Sequence, residues 1–276
     1  NATATQFIGG VANEVGTFSN NSQLAGLLGI PKLEEETSEN YSLGFTARIP
    51  DTRLKITLDG YIVNVDNRVG LTKNYEAPGD GSEIDDFFQA AAAGKAKFFT
   101  NGYDTESKGL DVVVSHKYDL NKDMELTNSL SASVSETKVT NVKSIIGDPI
   151  LDARAIGFIE DAMTRTKLNL TNNLKMDKWN FMLRNVYFGE VSDPDFKGTD
   201  NEVTYGGKII TDISASYEME DHGLTVTVGS NNLLDIYPDE VPESGNYGGQ
   251  FRFSRRISQF GFNGRYLFAR LTLKLK

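Results

Sequence analysis

Cysteine is absent from the 276 residues, so a disulfide framework and a cysteine-ligated metal site are both excluded, and thiols say nothing of the redox compartment. Histidine is nearly absent: there are two. His116 falls by pattern in a strand and His222 in a short turn, which argues against a paired-histidine metal centre. No run approaches the roughly 18 apolar residues that read as a transmembrane helix. The start, "NATATQFIGG", carries neither an initiator Met nor a signal peptide, so a processed N-terminus or sequence upstream of Asn1 is expected. Basic residues are outnumbered, 28 Lys and Arg against 38 Asp and Glu, for a formal net charge of -10. Without a basic stripe, nucleic acid is not an expected partner. P-loop and serine-elbow motifs are missing too, so no enzyme and no cofactor is expected.

What the sequence has in quantity is period-2 alternation. Tyr41, Leu43, Phe45, Ala47 and Ile49 alternate with Ser42, Gly44, Thr46 and Arg48. Leu126, Leu130, Ala132 and Val134 interleave with Glu125, Thr127, Ser129, Ser131 and Ser133. Leu168, Leu170, Leu174 and Met176 oppose Lys167, Asn169, Thr171, Asn173 and Lys175, and near the C-terminus Leu267, Ala269, Leu271, Leu273 and Leu275 oppose Phe268, Arg270, Thr272 and Lys274. Less regular strands are read at 53–66, 108–118, 179–190, 208–219 and 224–230. Nine strands result, with one more expected near Thr3 to Phe18.

The connections alternate strictly between short and long. Short turns fall at Pro50, Asp119, Asp177 and Glu220; long connections run over 67–106, 137–162, 191–207 and 231–260. A soluble sandwich has little reason to gather its long loops at one end, whereas an outer-membrane barrel pairs short periplasmic turns with longer extracellular loops. Strand length agrees, since crossing a bilayer at a tilt takes about 9–11 residues and soluble strands average about 5–6.

Three local features bear on chemistry. "SEIDDFFQAAAAGKAKFF" reads as a helix inside the first long connection, with Ser82 and Asp85 placed as a capping box. "DPDFKGTDNE" has the outline of a calcium loop in Asp193, Asp195 and Gly198, but Lys197 and Thr204 occupy positions where carboxylates or amides are wanted, so a solvated acidic loop is the favoured reading. "NYGGQFRFSRRISQFGF" gathers Tyr247, Phe251, Arg252, Arg255 and Arg256, together with Phe253 and Phe260, as candidate ligand contacts, because aromatics stack and Arg binds carboxylate or phosphate bidentately. The competing reading, which is favoured, puts the aromatics in a membrane-interface girdle and the arginines on lipopolysaccharide phosphates or the loop's own acids. In "NNLLD", Asn231, Asn232 and Asp235 are expected to organise a strand exit through side-chain to backbone bonds.

Four segments resemble TonB-dependent outer-membrane receptors, in family order. They are "PKLEEETSENYSLGF" (Pro31–Phe45), "TNGYDTESKGLDVVVSHKY" (Thr100–Tyr118), "VGSNNLLDIYPDE" (Val228–Glu240) and "GRYLFARLTLKL" (Gly264–Leu275). The chain departs from the family in carrying Glu34 and Glu35 where Lys-Pro is usual, and Leu275 followed by Lys276 where a final Phe is common. The resemblance implies an all-β, antiparallel transmembrane barrel of about 22 strands plugged by an N-terminal domain. Residues 1–276 would then be the C-terminal portion of that barrel, its last nine or ten strands, with the plug outside this chain. The implied function is an outer-membrane receptor that binds a scarce ligand (iron chelate, corrinoid, saccharide or peptide) and imports it with TonB-supplied energy. Its implied partners are that ligand, TonB through the missing N-terminal region, and outer-membrane lipid and lipopolysaccharide. A complete ten-stranded passive barrel or porin, and a soluble β-rich binding domain, are the alternatives. In the receptor reading the last strand runs inward, all four long connections lie outside, and Leu271 points to lipid near mid-membrane while Thr272 faces the lumen.

Overall fold

The computed structural model describes residues 2–8, 11–145, 148–196, 199–200, 202–246 and 248–274. The chain opens with an antiparallel hairpin, β1 (Ala2–Ile8) and β2 (Val11–Phe18), where one strand was expected. Helix α1 (Gln23–Leu27) follows, its first turn capped by the Ser22 hydroxyl, which accepts from the Ala25 amide at 3.2 Å. β3 (Thr37–Ile49) and β4 (Leu54–Leu71) meet at the Pro50 turn, where Asp51 and Arg53 take φ of 63° and 51°. Next come β5 (Tyr75–Glu76), α2 (Glu83–Ala90), β6 (Lys95–Asn121) and β7 (Met124–Val142). A small ladder of β8 (Ser144–Ile145) and β9 (Asp148–Pro149) precedes α3 (Ala153–Glu160). The remainder is β10 (Thr166–Met176), β11 (Trp179–Phe188), the ladder β12 (Val191–Ser192) with β13 (Thr204–Tyr205), β14 (Lys208–Met219), β15 (Leu224–Asn231) and β16 (Tyr266–Leu273).

All nine expected strands are present, and β4, β6 and β7 run on into segments read as loops. The cause is visible in β6, where Ala96, Phe98, Thr100, Asn101, Tyr103 and Thr105 are buried. Neighbours cover both polar and apolar positions there, so the period-2 signal that marks a half-exposed strand is lost. The expected helix is also shorter than its sequence suggests. It ends at Ala90, Ala92 takes a φ of 49°, and Lys95–Phe99 begin β6. No capping box forms: the Ser82 hydroxyl makes no cap bond, and the Asp85 carboxylate accepts from the Gly79 and Gly81 amides at 2.8 and 2.7 Å.

The chain divides into two compact units. Unit 1 comprises Asn1–Asn40, Val63–Ser107 and Thr137–Ile159. Its core joins Phe18, Leu24, Phe88, Phe98 and Ile150, with Tyr75 and Phe87 packed against it. Phe18 meets Phe87 edge-on at 5.6 Å, and β2 lies parallel to β6, Val15–Phe18 against Lys95–Phe98. Two of the family-like segments touch here. The buried Asn101 side chain accepts from the Glu34 amide at 2.7 Å and donates to the Glu34 and Asn67 carbonyls at 2.9 and 2.6 Å. Asn67, at a φ of 56°, gives its amide to Asp104 at 2.8 Å.

Unit 2 comprises Tyr41–Ile62, Lys108–Glu136 and Glu160–Lys276. Its strands follow the order β3-β4-β6-β7-β10-β11-β14-β15-β16. The register sorts side chains into two faces. Leu126, Leu174, Phe181, Ala215, Val228 and Ala269 form one row across six strands, and Leu183, Ile213, Ser230 and Leu267 lie in the next. On the other face Ser129, Thr171, Arg184 and Asp212 lie in register. Gly229 faces that side because Phe268 covers it: a Cβ there would stand 2.6 Å from the ring and from the Ile213 carbonyl. Among the described residues β3 pairs with β4 alone and β16 with β15 alone, leaving two open edges.

One expected position shifts. Leu271 pairs with Val226, two residues from the start of β15, which sets it near the short-turn end. Leu183 is the outward leucine midway along its strand.

Candidate functional site

The connection after β15 is built from its first residues. Asn232, at a φ of 48°, donates its side-chain amide to the Ile236 carbonyl at 2.7 Å and accepts from the Ile236 amide at 2.9 Å, while its own backbone amide donates to Asp212 at 2.7 Å. Asp235, at a φ of 59°, accepts from the Arg265 amide at 2.8 Å and so ties the two ends of the connection together. These are the side-chain to backbone bonds expected of Asn232 and Asp235. Asp212 is buried and also receives Arg184 through Nε at 2.8 Å and Nη2 at 2.5 Å, so the polar face of β11 and β14 anchors the exit of β15.

Polar bonds join the connections over 189–207 and 232–265. The Gln259 side-chain amide donates to the Gly189 and Gly206 carbonyls at 2.5 and 3.0 Å. Arg256 Nε donates to Asp195 at 2.7 Å, and Asp239 accepts from the Gly206 amide at 2.7 Å and Lys208 Nζ at 2.6 Å. The hydrogen bond from Lys208 holds the Asp239 carboxyl below its ordinary range against the opposing effect of burial. A lowered folded pKa contributes stability that is present above the unfolded value of about 3.9 and is lost as pH falls through the folded value. The Gly206 amide should therefore keep its protection from hydrogen exchange between pH 7 and about 4 and lose it only below. Asp239→Asn should remove that acid step, and an unchanged step would assign it to another group.

Asp193 corrects the reading of a solvated acidic loop. It is buried, and its carboxylate accepts from Tyr205 Oη at 2.8 Å and the Asp195 amide at 3.0 Å. Desolvation and the Asp193 carboxylate push the Tyr205 hydroxyl above its ordinary range. Lys197 and Gly198 lie outside the described residues. Among the described residues no three His, Asp or Glu side chains are grouped to hold a metal ion.

The candidate contacts fall in the same connection. Tyr247 lies outside the described residues. Phe251 is 39% exposed. Arg252 donates to Glu240 of its own connection, Nε to Oε1 at 2.8 Å, and Arg256 is held by Asp195 of the connection over 189–207, so an acid of each connection engages one guanidinium group. Arg255 is exposed between them. Beside Phe253, which the sequence reading included, the structure places Tyr237 and Phe262, which it missed. Phe253 lies between Tyr237 and Phe262, each 6.1 Å away with rings tilted by 2° and 26°, and Arg252 sits 5.5 Å over the Phe253 ring. Tyr237 and Phe262 are 40% and 56% exposed. Such a row offers flat faces to a ring-bearing ligand, while an anionic ligand must displace carboxylates from Arg252 and Arg256. Aromatic content marked the region, but nothing in the spacing from Tyr237 to Phe262 shows that the rings stack.

The chain matches the family described as "TonB dependent receptor-like, beta-barrel" over residues 3–233. No curated protein matches it. Its fold is similar to that of the outer membrane transporter YddB of Escherichia coli, at 9% identity and a TM-score of 0.60, over 88% of this chain and 33% of that one. It is also similar to the FrpB iron transporter of Neisseria meningitidis, at 11% identity and a TM-score of 0.57, over 88% of this chain and 32% of that one. A mutant ferric enterobactin receptor of Pseudomonas aeruginosa aligns at 15% identity and a TM-score of 0.54, over 86% of this chain and 31% of that one. The chain thus spans about a third of the length of these structures. With a family match covering most of its length and a sheet of the same fold, the chain belongs to the TonB-dependent receptor β-barrel family.

Proposed function

We propose that the chain is the C-terminal portion of the barrel of an outer-membrane receptor, which binds a scarce ligand outside the cell and imports it with TonB-supplied energy. The observation that carries the reading is the partition of unit 2 into a predominantly apolar face, with Leu183, Ile213, Val228 and Leu267 exposed and Asn128, Asn172 and Ser230 interspersed, and a polar face. Exposed apolar rows of this extent suit lipid, and the two open edges suit pairing with further strands, since unpaired backbone is costly within a bilayer. In this reading the turns at Pro50, Asp119, Asp177 and Glu220 face the periplasm and the connection over 232–265 faces the medium. The barrel itself has no catalytic role.

Similar structures described as an iron transporter and a ferric enterobactin receptor make a ferric chelate the first ligand to test, ahead of a corrinoid, a saccharide or a peptide. Tyr237, Phe253 and Phe262 supply the stacking surface, and Phe251, Arg252, Arg255 and Arg256, with Tyr247, are the neighbouring contacts. In the full-length receptor, Tyr237→Ala with Phe253→Ala should weaken ligand binding about tenfold, the scale of two aromatic contacts. An epitope inserted at Gly245 should be stainable on intact cells, and one inserted between Glu220 and Gly223 should not. Staining of the second insertion with the barrel folded would overturn the orientation. Undiminished binding of every ligand class by the double variant would remove the aromatic row from the site.

A further inference from the structure

We propose that Asn263 is a site of spontaneous deamidation, a modification driven by its own backbone that places a new carboxylate at the edge of the aromatic row. Asparagine precedes glycine twice in the chain, at Asn101–Gly102 and at Asn263–Gly264. Glycine has no Cβ to shield its amide nitrogen, so in both pairs that nitrogen can approach the preceding side chain. The fold treats the two pairs differently. At the first, both residues are buried and the Asn101 side chain is committed, accepting from the Glu34 amide at 2.7 Å and donating to the Glu34 and Asn67 carbonyls at 2.9 and 2.6 Å. At the second, Asn263 is exposed in the connection that leads into β16. Among the described residues neither the Asn263 side chain nor the Gly264 backbone amide has a hydrogen-bond partner. The side chain is therefore free to turn onto the next peptide, and the Gly264 nitrogen is free to meet it.

The reaction is a ring closure followed by a hydrolysis. The Gly264 nitrogen gives its proton to water and attacks Asn263 Cγ, the bond from Cγ to the side-chain nitrogen breaks, and ammonia leaves with a proton taken from solvent. One water then opens the cyclic imide at either carbonyl, giving aspartate, or isoaspartate in which the main chain runs through the former side chain. Nothing is oxidised or reduced. The neighbours of position 263 make the product consequential. Phe262, one residue earlier, is a ring of the row and stacks on Phe253. Gly264, one residue later, takes a φ of 72° and packs against Tyr237 and Asp235, where a Cβ would stand 2.7 Å from Asp235 Oδ1. Asp235 accepts from the Arg265 amide at 2.8 Å and from the Tyr237 hydroxyl at 3.2 Å. Aspartate at 263 adds a like charge beside Asp235, and the two repel. Isoaspartate lengthens the main chain by an atom between two residues that the aromatic row already holds. Either product loosens the tie from Asp235 to Arg265 that joins the two ends of the connection. The modification is independent of the receptor reading, since it needs only the folded connection and water.

The test uses the full-length receptor, folded in detergent and incubated at mildly alkaline pH in heavy-oxygen water, with peptide mapping by mass spectrometry. Asn263 should convert nearly as fast as in the urea-unfolded receptor, each event carrying the mass gain of an amide-to-acid exchange and one labelled oxygen, with aspartate and isoaspartate both recovered. Asn101 should convert about a hundredfold more slowly than in the unfolded receptor, the suppression expected of three hydrogen bonds that must open first. Hydrogen exchange at the Arg265 amide should accelerate as Asn263 converts. Asn263→Gln, whose longer side chain closes the ring poorly, should keep both its amide and that protection over the same incubation, and Asn263→Asp should show the faster exchange from the start. No conversion at Asn263 in the folded receptor, or equal suppression at Asn101 and Asn263, would overturn the site. Conversion with exchange at Arg265 unchanged would overturn its effect on the connection.

Discussion

Leu183→Arg in the full-length receptor is expected to cost about 2–4 kcal/mol of barrel stability, whereas Met182→Arg, one residue earlier, leaves it nearly unchanged. Leu183 is 42% exposed on the apolar face, midway along β11, with Ile213 opposite it on β14. In the proposed orientation a guanidinium there is carried to the bilayer midplane, where its penalty is largest. Met182 points to the polar face, in register with Asn173 and Ser214, where water and polar side chains solvate a charge. Leu271→Arg should cost only about 0–1 kcal/mol, because its pairing with Val226 sets it near the interface, where an arginine can snorkel. Urea titration of the receptor refolded into vesicles measures all three. Similar losses at Leu183 and Met182 would mean that the two faces have been assigned wrongly.

Phe98→Ala is expected to cost about 3–5 kcal/mol, and to do so in unit 1. Phe98 has no exposed surface and packs near Phe18 and Tyr75, with ring centroids 6.2 and 6.1 Å away. The truncation leaves a void between β2, β5 and β6 that cannot refill without separating them, because the parallel pairing of Val15–Phe18 with Lys95–Phe98 holds the backbone on one side and the aromatic cluster the other. The loss should be regional. Hydrogen exchange should accelerate in β1, β2, α1 and the first part of β6, while amides paired between β10, β11, β14 and β15 keep their protection, since none of the core around Phe98 belongs to unit 2. Uniform acceleration through β10–β15 would show that the two units unfold as one.

Those parts of the fold whose signal is local were legible along the chain. Alternation along Lys167–Met176 or Leu224–Ser230 names both faces of a strand, because side chains switch sides at every residue wherever one face stays polar. Turn residues between these runs fix where each strand ends, as Asp177, at a φ of 50°, and Gly223, at 59°, confirm in the fold. Long-range packing settles the strand boundaries wherever both faces are covered. β6 begins at Lys95 because Ala96 and Phe98 are buried against segments far away in the chain, and alternation carries no information there. The same holds for bonds between distant residues. Asn101 bonds Glu34 across 67 positions, Arg256 meets Asp195 across 61, and Gln259 staples Gly189 and Gly206. Which acid neutralises an arginine, and which rings stack, depends on how loops are brought together once the strands have paired, and spacing along the chain does not encode that.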